Sequence, residues 1–141
     1  MTNDPLAELA HEFFGSVSFR PGKRPGYGRI RDLFIPDGRL IRATADAPEI
    51  TGVEEFIAPR QRAVDAGELT AFEEVETAGH TDVFGHAGQR RSRYDKRGVR
   101  NGAAFAGRGM VFTQFVRTPA GWRISAMAWD DERPGLTLPD R

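Results

Sequence analysis

The stretch GWRISAMAWDDERPG, residues 121–135, has the alternation of a β-strand, yet neither of its faces is polar. A period of two divides its apolar side chains between opposite faces, with Trp122, Ile124, Ala126 and Ala128 on one and Met127 and Trp129 on the other. A strand with one solvated face would alternate apolar with polar residues. This strand is therefore expected to be covered on both sides before it ends in three acidic residues, at 130–132.

The strand expected over 105–118 has the same two-faced character. Its apolar side chains also fall on both faces, with Met110, Phe112 and Val116 on one and Val111 and Phe115 on the other. One face can cover the helices, and a second copy of the chain is the simplest partner for the other. The sequence therefore predicts a homodimer whose interface is formed by Val111, Phe115, Met127 and Trp129.

Helices are predicted to precede these strands. Asp4 is a suitable N-cap, and Pro5 a suitable first residue, for a helix whose apolar stripe extends to Val17. A short helix over 27–34 follows, and then a turn and a short strand over 39–44.

A further helix is predicted to begin near Thr51. Thr51 and Glu54 have the spacing of a capping box, which satisfies backbone amides at a helix start. Gly67 is a plausible stop. Pro59 lies inside this segment, so the helix is expected to be kinked or divided there.

The hydrophobic period changes to two after Gly67, which indicates strands. They are expected near 70–78, 81–94, 105–118 and 121–131, with the segment DKRGVRNG, residues 95–102, as a long hairpin loop. Helices followed by a run of antiparallel strands are typical of an α+β fold. The helices are expected to pack on one face of a strongly curved antiparallel sheet.

Composition limits the classes of function. The 141 residues are expected to form one domain, 1–141, without any cysteine. The 20 basic and 20 acidic residues give a net charge of +0, which argues against a nucleic-acid partner. With no signal peptide and no apolar run of the roughly 20 residues that a membrane helix needs, we expect a cytoplasmic protein.

Several stretches together resemble one family of proteins. They are YGRIRDLFIPDGRLI (27–41), GVEEFI (52–57), FEEVE (72–76), FGHAGQRRSRY (84–94), RGMVFTQF (108–115) and GWRISAMAWDDE (121–132). In their order they are similar to an uncharacterised bacterial subgroup of the nuclear transport factor two-like superfamily, also called ketosteroid isomerase-like or SnoaL-like. The resemblance implies a cone-shaped sheet, a cystatin-like roll, that holds a pocket and usually dimerises.

The resemblance does not extend to the catalytic mechanism of the ketosteroid isomerases. Ketosteroid isomerases have a carboxylate base a few residues after an LF pair, and that pattern places Arg42 at the position. An arginine cannot abstract a proton at neutral pH.

Two carboxyl groups are candidates for catalysis. Glu74 and Glu76 share one face of a strand, and Glu76 could exchange protons if burial raised its pKa. The alternative is a solvated face, or ion pairs with arginines of the next strand. Asp32 lies five residues after Tyr27, a pairing similar to that in the dehydratases of this fold, although a helix-surface Asp beside arginines explains it as well.

A second group of residues is predicted to bind a ligand. Its members are Arg42, Arg90, Tyr94, Arg108 and Gln114, which the expected strands could direct into the cone. Arginines around an apolar pocket favour an anionic ligand. The alternative places Arg90 on an outer charged surface and uses Arg108 to hold a loop. The three histidines lack a metal-ligand spacing, so neither a metal nor another cofactor is expected.

Two functions are compatible with these patterns. The first is a small-molecule-binding protein, extending to an isomerase, dehydratase or cyclase that acts on an anionic organic substrate. The second is a non-catalytic dimeric binding or interaction module whose cone is filled by its own side chains. A solvent-reachable cavity lined by at least two of Arg42, Arg90, Tyr94 and Arg108 would favour the first.

Overall fold

The structure is a computed structural model that describes residues 4–43 and 46–139. Its helices are α1 (Pro5–Val17), a 3₁₀ helix (Tyr27–Asp32) and α2 (Val53–Asp65). Its strands are β1 (Phe34–Arg42), β2 (Glu49–Thr51), β3 (Leu69–Phe84), β4 (Ala87–Arg100), β5 (Ala103–Thr118) and β6 (Gly121–Asp131). Residue 44, the end of the strand predicted over 39–44, lies outside the described residues. No helix in the described ranges combines the length and apolar content that crossing a membrane would require.

Helix α1 forms as its local sequence predicts. The Asp4 carboxylate accepts a hydrogen bond from the Ala7 N–H at 3.0 Å, and Pro5 occupies the first turn, where no N–H is needed. The side chains of the apolar stripe are buried against the sheet, namely Leu6, Ala10, Phe13, Phe14 and Val17. The Phe13 ring is central, because it contacts the rings of Phe14, Phe34 and Phe56.

The predicted α+β class is confirmed, with the helices packed against an open sheet of order β2-β1-β6-β5-β4-β3. The prediction that the sheet is wholly antiparallel is wrong at one place, because β1 pairs with β6 in parallel. β1 and β6 lie at opposite ends of the sequence, and no local pattern reports such a pairing. The long strands β3 to β6 are antiparallel, as expected.

The central hairpins are longer than predicted. The segment 95–102 is not a loop, since β4 continues to Arg100 and only Asn101 and Gly102 make the turn. Both turn residues have positive φ, 52° and 79°, as a two-residue Asn-Gly turn requires. The polar residues before the turn lie on a half-solvated strand, which explains why their composition is that of a loop.

Helix α2 also differs from the prediction. It is one continuous helix despite Pro59, and its N-cap is Gly52 rather than Thr51. The Glu55 carboxylate accepts the Gly52 N–H at 2.9 Å, one residue later than predicted, and the reciprocal half of a capping box is missing because glycine has no side chain. The Arg60 guanidinium donates to the Phe56 carbonyl at 2.9 Å, in the turn where the proline interrupts the backbone ladder.

A β-bulge in β6 determines which side chains face the helices. Gln114 pairs with Ala126, but Phe115 pairs with Ile124, so β6 carries one extra residue between these pairs. The bulge reverses the alternation, and both Ile124 and Met127 therefore point into the core.

The predicted dimer interface is therefore wrong in its residues. Val111, Phe115 and Met127 are buried inside the single chain, at 3%, 3% and 1% exposure. The Trp129 ring packs edge-on against Phe56, with the ring centroids 6.1 Å apart. All four predicted interface residues face the concave side of the sheet.

Candidate ligand cavity

The helices and the concave face of the sheet enclose a cavity of about 600 Å³. Much of its wall is aromatic and consists of Phe13, Phe14, Tyr27, Phe56, Phe72, Tyr94, Phe105 and Trp129. Its charged lining residues are Arg42, Glu49, Arg60, Glu74, Lys96 and Arg100. Arg42, Glu49 and Arg100 are exposed, so the cavity reaches solvent at the end where they lie.

Arg60 directs a cation into this aromatic chamber from α2. Its Cζ lies 3.6 Å from the centroid of the Phe56 ring, a cation–π contact. Among the described residues, no carboxylate forms an ion pair with it. Burial lowers the pKa of Arg60, while Tyr27 and Glu49 act in the opposite direction. The guanidinium is thus partly desolvated and lacks a matched anion.

A polar chain lies along the wall formed by β4 and β6. The Tyr94 hydroxyl donates to Asp131 Oδ1 at 2.5 Å, and Lys96 Nζ donates to Asp131 Oδ2 at 2.6 Å. Burial, reinforced by the Asp131 carboxylate, raises the pKa of Tyr94. Tyr94 is therefore a neutral hydrogen-bonding group at physiological pH.

Glu74 lies opposite Lys96 in the register of β3 and β4. Its backbone is fixed by Ser18, whose hydroxyl accepts the Glu74 N–H at 3.0 Å. Its carboxyl group has no hydrogen bond to any of the described residues. Burial raises the pKa of Glu74 to about 7, with Lys96 and Arg60 lowering it and Asp131 raising it. The cavity therefore contains a carboxyl group that changes charge near neutrality.

Glu76 lies two residues along β3, and its surroundings differ completely. Its carboxylate accepts hydrogen bonds from Arg90 at 2.7 and 2.9 Å and from Ser92 at 2.6 Å, and it contacts His11 at 3.0 Å. Burial opposes ionisation of Glu76, but these hydrogen bonds outweigh it and lower the pKa to about 2. Glu76 and Arg90 form a closed ion pair, and neither lines the cavity.

The other predicted site residues separate into two groups. Arg42 and Tyr94 line the cavity. Arg108 lies on the opposite face of the sheet, where it pairs with Glu132 at 2.8 Å, and Gln114 lies on the same outer face. This follows from the alternation of β5, whose buried residues are Val111, Thr113 and Phe115. Asp32 is exposed on the 3₁₀ helix and does not contact the cavity.

Comparisons with known proteins agree on the fold. No protein-family model and no curated protein matches the sequence. A nuclear transport factor 2-like superfamily protein from Salmonella enterica superposes with a TM-score of 0.74 at 16% identity, over 92% of this chain and 89% of the other. A protein from Kribbella flavida gives a TM-score of 0.71 at 13% identity, over 91% of this chain and 88% of the other.

The chain has the nuclear transport factor two-like fold. An NTF2-like protein of cystatin-like fold from Novosphingobium aromaticivorans is also similar, with a TM-score of 0.61 at 18% identity over 89% of this chain and 80% of the other. The cystatin-like α+β fold expected from the sequence is thus confirmed. Identities this low show the fold alone, so the function rests on this chain's own cavity.

Sequence reasoning missed four of the charged residues that line this cavity, namely Glu49, Arg60, Lys96 and Arg100. Lys96 and Arg100 fall in the segment predicted to be a loop, where no facing could be assigned to them. Arg60 follows Phe56 at helical spacing, which was a usable signal, but the expected break at Pro59 obscured it. Glu74 was considered only as a partner of Glu76.

The raised pKa of Glu74 predicts a pH-dependent stability. The folded chain holds a proton up to about pH 7, whereas an unfolded glutamate releases it near pH 4.3, so wild-type stability falls across that interval. Glu74→Gln should nearly match wild type near pH 4 and exceed it at pH 8 by on the order of 3–4 kcal/mol. Urea unfolding at both pH values measures this difference. Glu73→Gln, on the outer face, is the control, and parallel pH profiles for wild type and Glu74→Gln would contradict the assignment.

Proposed function

We propose that this protein binds a small organic anion with an aromatic body inside the cavity. The observation that carries the proposal is the Arg60 guanidinium, held against Phe56 within an apolar chamber and not paired with a carboxylate of the described residues. A partly buried cation without a matched anion is costly unless a ligand supplies the negative charge. A carboxylate suits the guanidinium, which can donate two parallel hydrogen bonds to it.

The size and chemistry of the cavity support a small-molecule ligand. Its volume of about 600 Å³ lies within the roughly 300–1,000 Å³ of such sites. Arg42 and Tyr94 both line it, which meets the condition set from the sequence for a ligand-binding cone. Tyr27 adds a hydroxyl without a hydrogen-bond partner among the described residues. Burial raises the pKa of Tyr27, and the charges of Arg60 and Arg100 oppose that rise. The Tyr27 hydroxyl therefore lies close enough to both guanidinium groups to interact with their charges.

An isomerase, dehydratase or cyclase would use the same cavity. A carboxyl group transfers protons efficiently when it lies beside the ligand and changes charge near neutrality. Glu74 lines the cavity and its pKa is raised to about 7, whereas Glu76 is held ionised outside the cavity and Asp32 is exposed to solvent. Glu74 therefore replaces Glu76 and Asp32 as the candidate for such chemistry.

The binding proposal predicts a specific loss on removing the Arg60 charge. We use 2-naphthoate as the probe, because it joins a carboxylate to a flat aromatic body. Arg60→Gln should weaken its binding by about tenfold or more, since a charge-assisted hydrogen bond contributes about 1.5–3 kcal/mol. Isothermal titration calorimetry measures the Kd.

Arg62→Gln is the matched control, because Arg62 is exposed on the same helix and does not line the cavity. It should bind the probe as wild type does. The neutral analogue 2-naphthalenemethanol should bind wild type and Arg60→Gln alike. Equal naphthoate affinity in the two arginine variants, or no binding to wild type, would overturn the proposal.

We also propose a homodimer, now formed through the outer face of the sheet. Phe112 is 52% exposed there, beside Met110 and Ala128, and Leu136 of the C-terminal segment is 41% exposed. An apolar area of this kind is unusual on a monomer, and a two-fold axis would let it cover itself.

Sedimentation velocity at micromolar concentration tests the dimer. Wild type should sediment as a dimer and Phe112→Glu as a monomer, because the new charge would be buried at the interface. Val83→Glu should remain dimeric, since Val83 is 53% exposed but lies on the helix side of the sheet, where it pairs with Gly88 beside Leu6. A monomeric wild type would rule the dimer out.

A further inference from the structure

Glu74 faces the same chamber as the proposed ligand. Helix α1 presents only the apolar Phe13, Phe14 and Val17 to this space, and its His11 lies against Glu76 instead. The Glu74 carboxyl is therefore separated from bulk water on its helix side by aromatic and aliphatic groups.

The remaining elements surround Glu74 with charges of both signs. Strand β4 presents Lys96, α2 presents Arg60, and β6 presents Asp131 beyond Lys96. Toward the mouth, the charged lining residues are Arg42 of β1, Glu49 of β2 and Arg100 of β4. Strand β5 contributes no charged residue to the cavity. Lys96 is already bound to Asp131, so it is not a dedicated partner for Glu74.

The neighbouring Glu76 stays ionised in this sheet because several hydrogen-bonding side chains surround its carboxylate. It has a guanidinium, a hydroxyl and an imidazole as partners. Glu74 has none of these partners for its carboxyl group. A buried carboxyl group without donors favours its neutral form.

A bound organic anion adds a further negative charge to this enclosed space. With its carboxylate at Arg60, it would occupy the same cavity as an ionised Glu74. Like charges in a site of low dielectric repel strongly, and the repulsion is relieved when one of them takes up a proton. The ligand carboxylate is paired with the guanidinium, so the proton goes to Glu74.

We propose that an organic anion and a proton bind to this cavity together, and that Glu74 is the residue that takes up the proton. This inference rests on the proposed function of the cavity. The proton comes from solvent and forms an O–H bond on Glu74, and no bond of the ligand breaks. Protonated Glu74 is a hydrogen-bond donor. The preferred ligand is therefore an organic acid that carries a second acceptor, such as a ketone or ether oxygen.

The proton linkage has a defined size. If the anion binds only to protein with neutral Glu74, the apparent Kd increases with the fraction that is ionised. That fraction is about one half at pH 7 in the free protein. The Kd for 2-naphthoate should therefore rise roughly tenfold from pH 6 to pH 8.

A pH-stat titration measures the proton uptake directly. On addition of 2-naphthoate to wild type, about half a proton should be taken up per bound anion at pH 7, approaching one at pH 8. Glu74→Gln should bind the probe with no proton uptake and with a Kd that is equal at pH 6 and pH 8. Glu49→Gln, which removes the same charge from the same cavity, should retain the uptake.

The outcomes separate this inference from the proposed function. Naphthoate binding to wild type without proton uptake would overturn the role of Glu74 and leave the anion site intact. Uptake that persists in Glu74→Gln would overturn it as well, because the proton would then go elsewhere. No naphthoate binding at any pH would overturn both. Near-UV circular dichroism and urea unfolding establish that each variant is folded.

Discussion

The extra residue in β6 is the constraint on which the rest of the structure depends. Without the bulge between Ile124 and Met127, Met127 would face away from the helices whenever Ile124 faced toward them. With it, both side chains are buried, and Trp129 joins the same face to pack on Phe56. Asp131 is carried to that face as well, where it receives the hydrogen bonds of Tyr94 and Lys96. The aromatic chamber and its polar wall thus share one local origin.

Two ionisable groups that line the cavity lack ionic partners, and this bears on function. On the outer face Arg108 pairs with Glu132 and Arg97 pairs with Glu73, whereas one Arg93 nitrogen has no hydrogen-bond partner among the described residues. Inside, the Glu76–Arg90 pair is also closed. In the cavity, neither Arg60 nor Glu74 has an ionic partner of its own among the described residues. Arg60 lacks an anion, and the Glu74 carboxyl group lacks a hydrogen-bond partner. A ligand with an anionic end and a hydrogen-bond acceptor would provide both.

Much of the fold could be predicted from the sequence wherever the signal is local. Helix α1 is specified by the Asp4 cap and a stripe with helical period, and the order of elements gives the class. The parallel pairing of β1 with β6 depends on contacts between distant residues and leaves no local pattern. The position of the bulge could not be inferred, because Ser125 and Ala126 fit a regular strand equally well. Because of this one extra residue, Met127 and Trp129 point toward the helices instead of away from them. The residues expected to form the dimer interface therefore lie on the concave side of the sheet. The prediction of site residues was also incomplete. Tyr94 and Arg42 were predicted correctly to line the cavity, whereas Lys96 was missed because the strand was predicted to end at residue 94 and β4 continues to Arg100.

Placing an organic anion at Arg60 is the central claim, and a crystal structure with 6-bromo-2-naphthoate tests it most directly. Anomalous scattering locates the bromine without dependence on a fitted ligand. We expect a bromine peak among the aromatic walls, with the carboxylate within hydrogen-bonding distance of the Arg60 guanidinium. A bromine peak only on the outer face, near Arg108, or an empty cavity at saturating ligand, would contradict it.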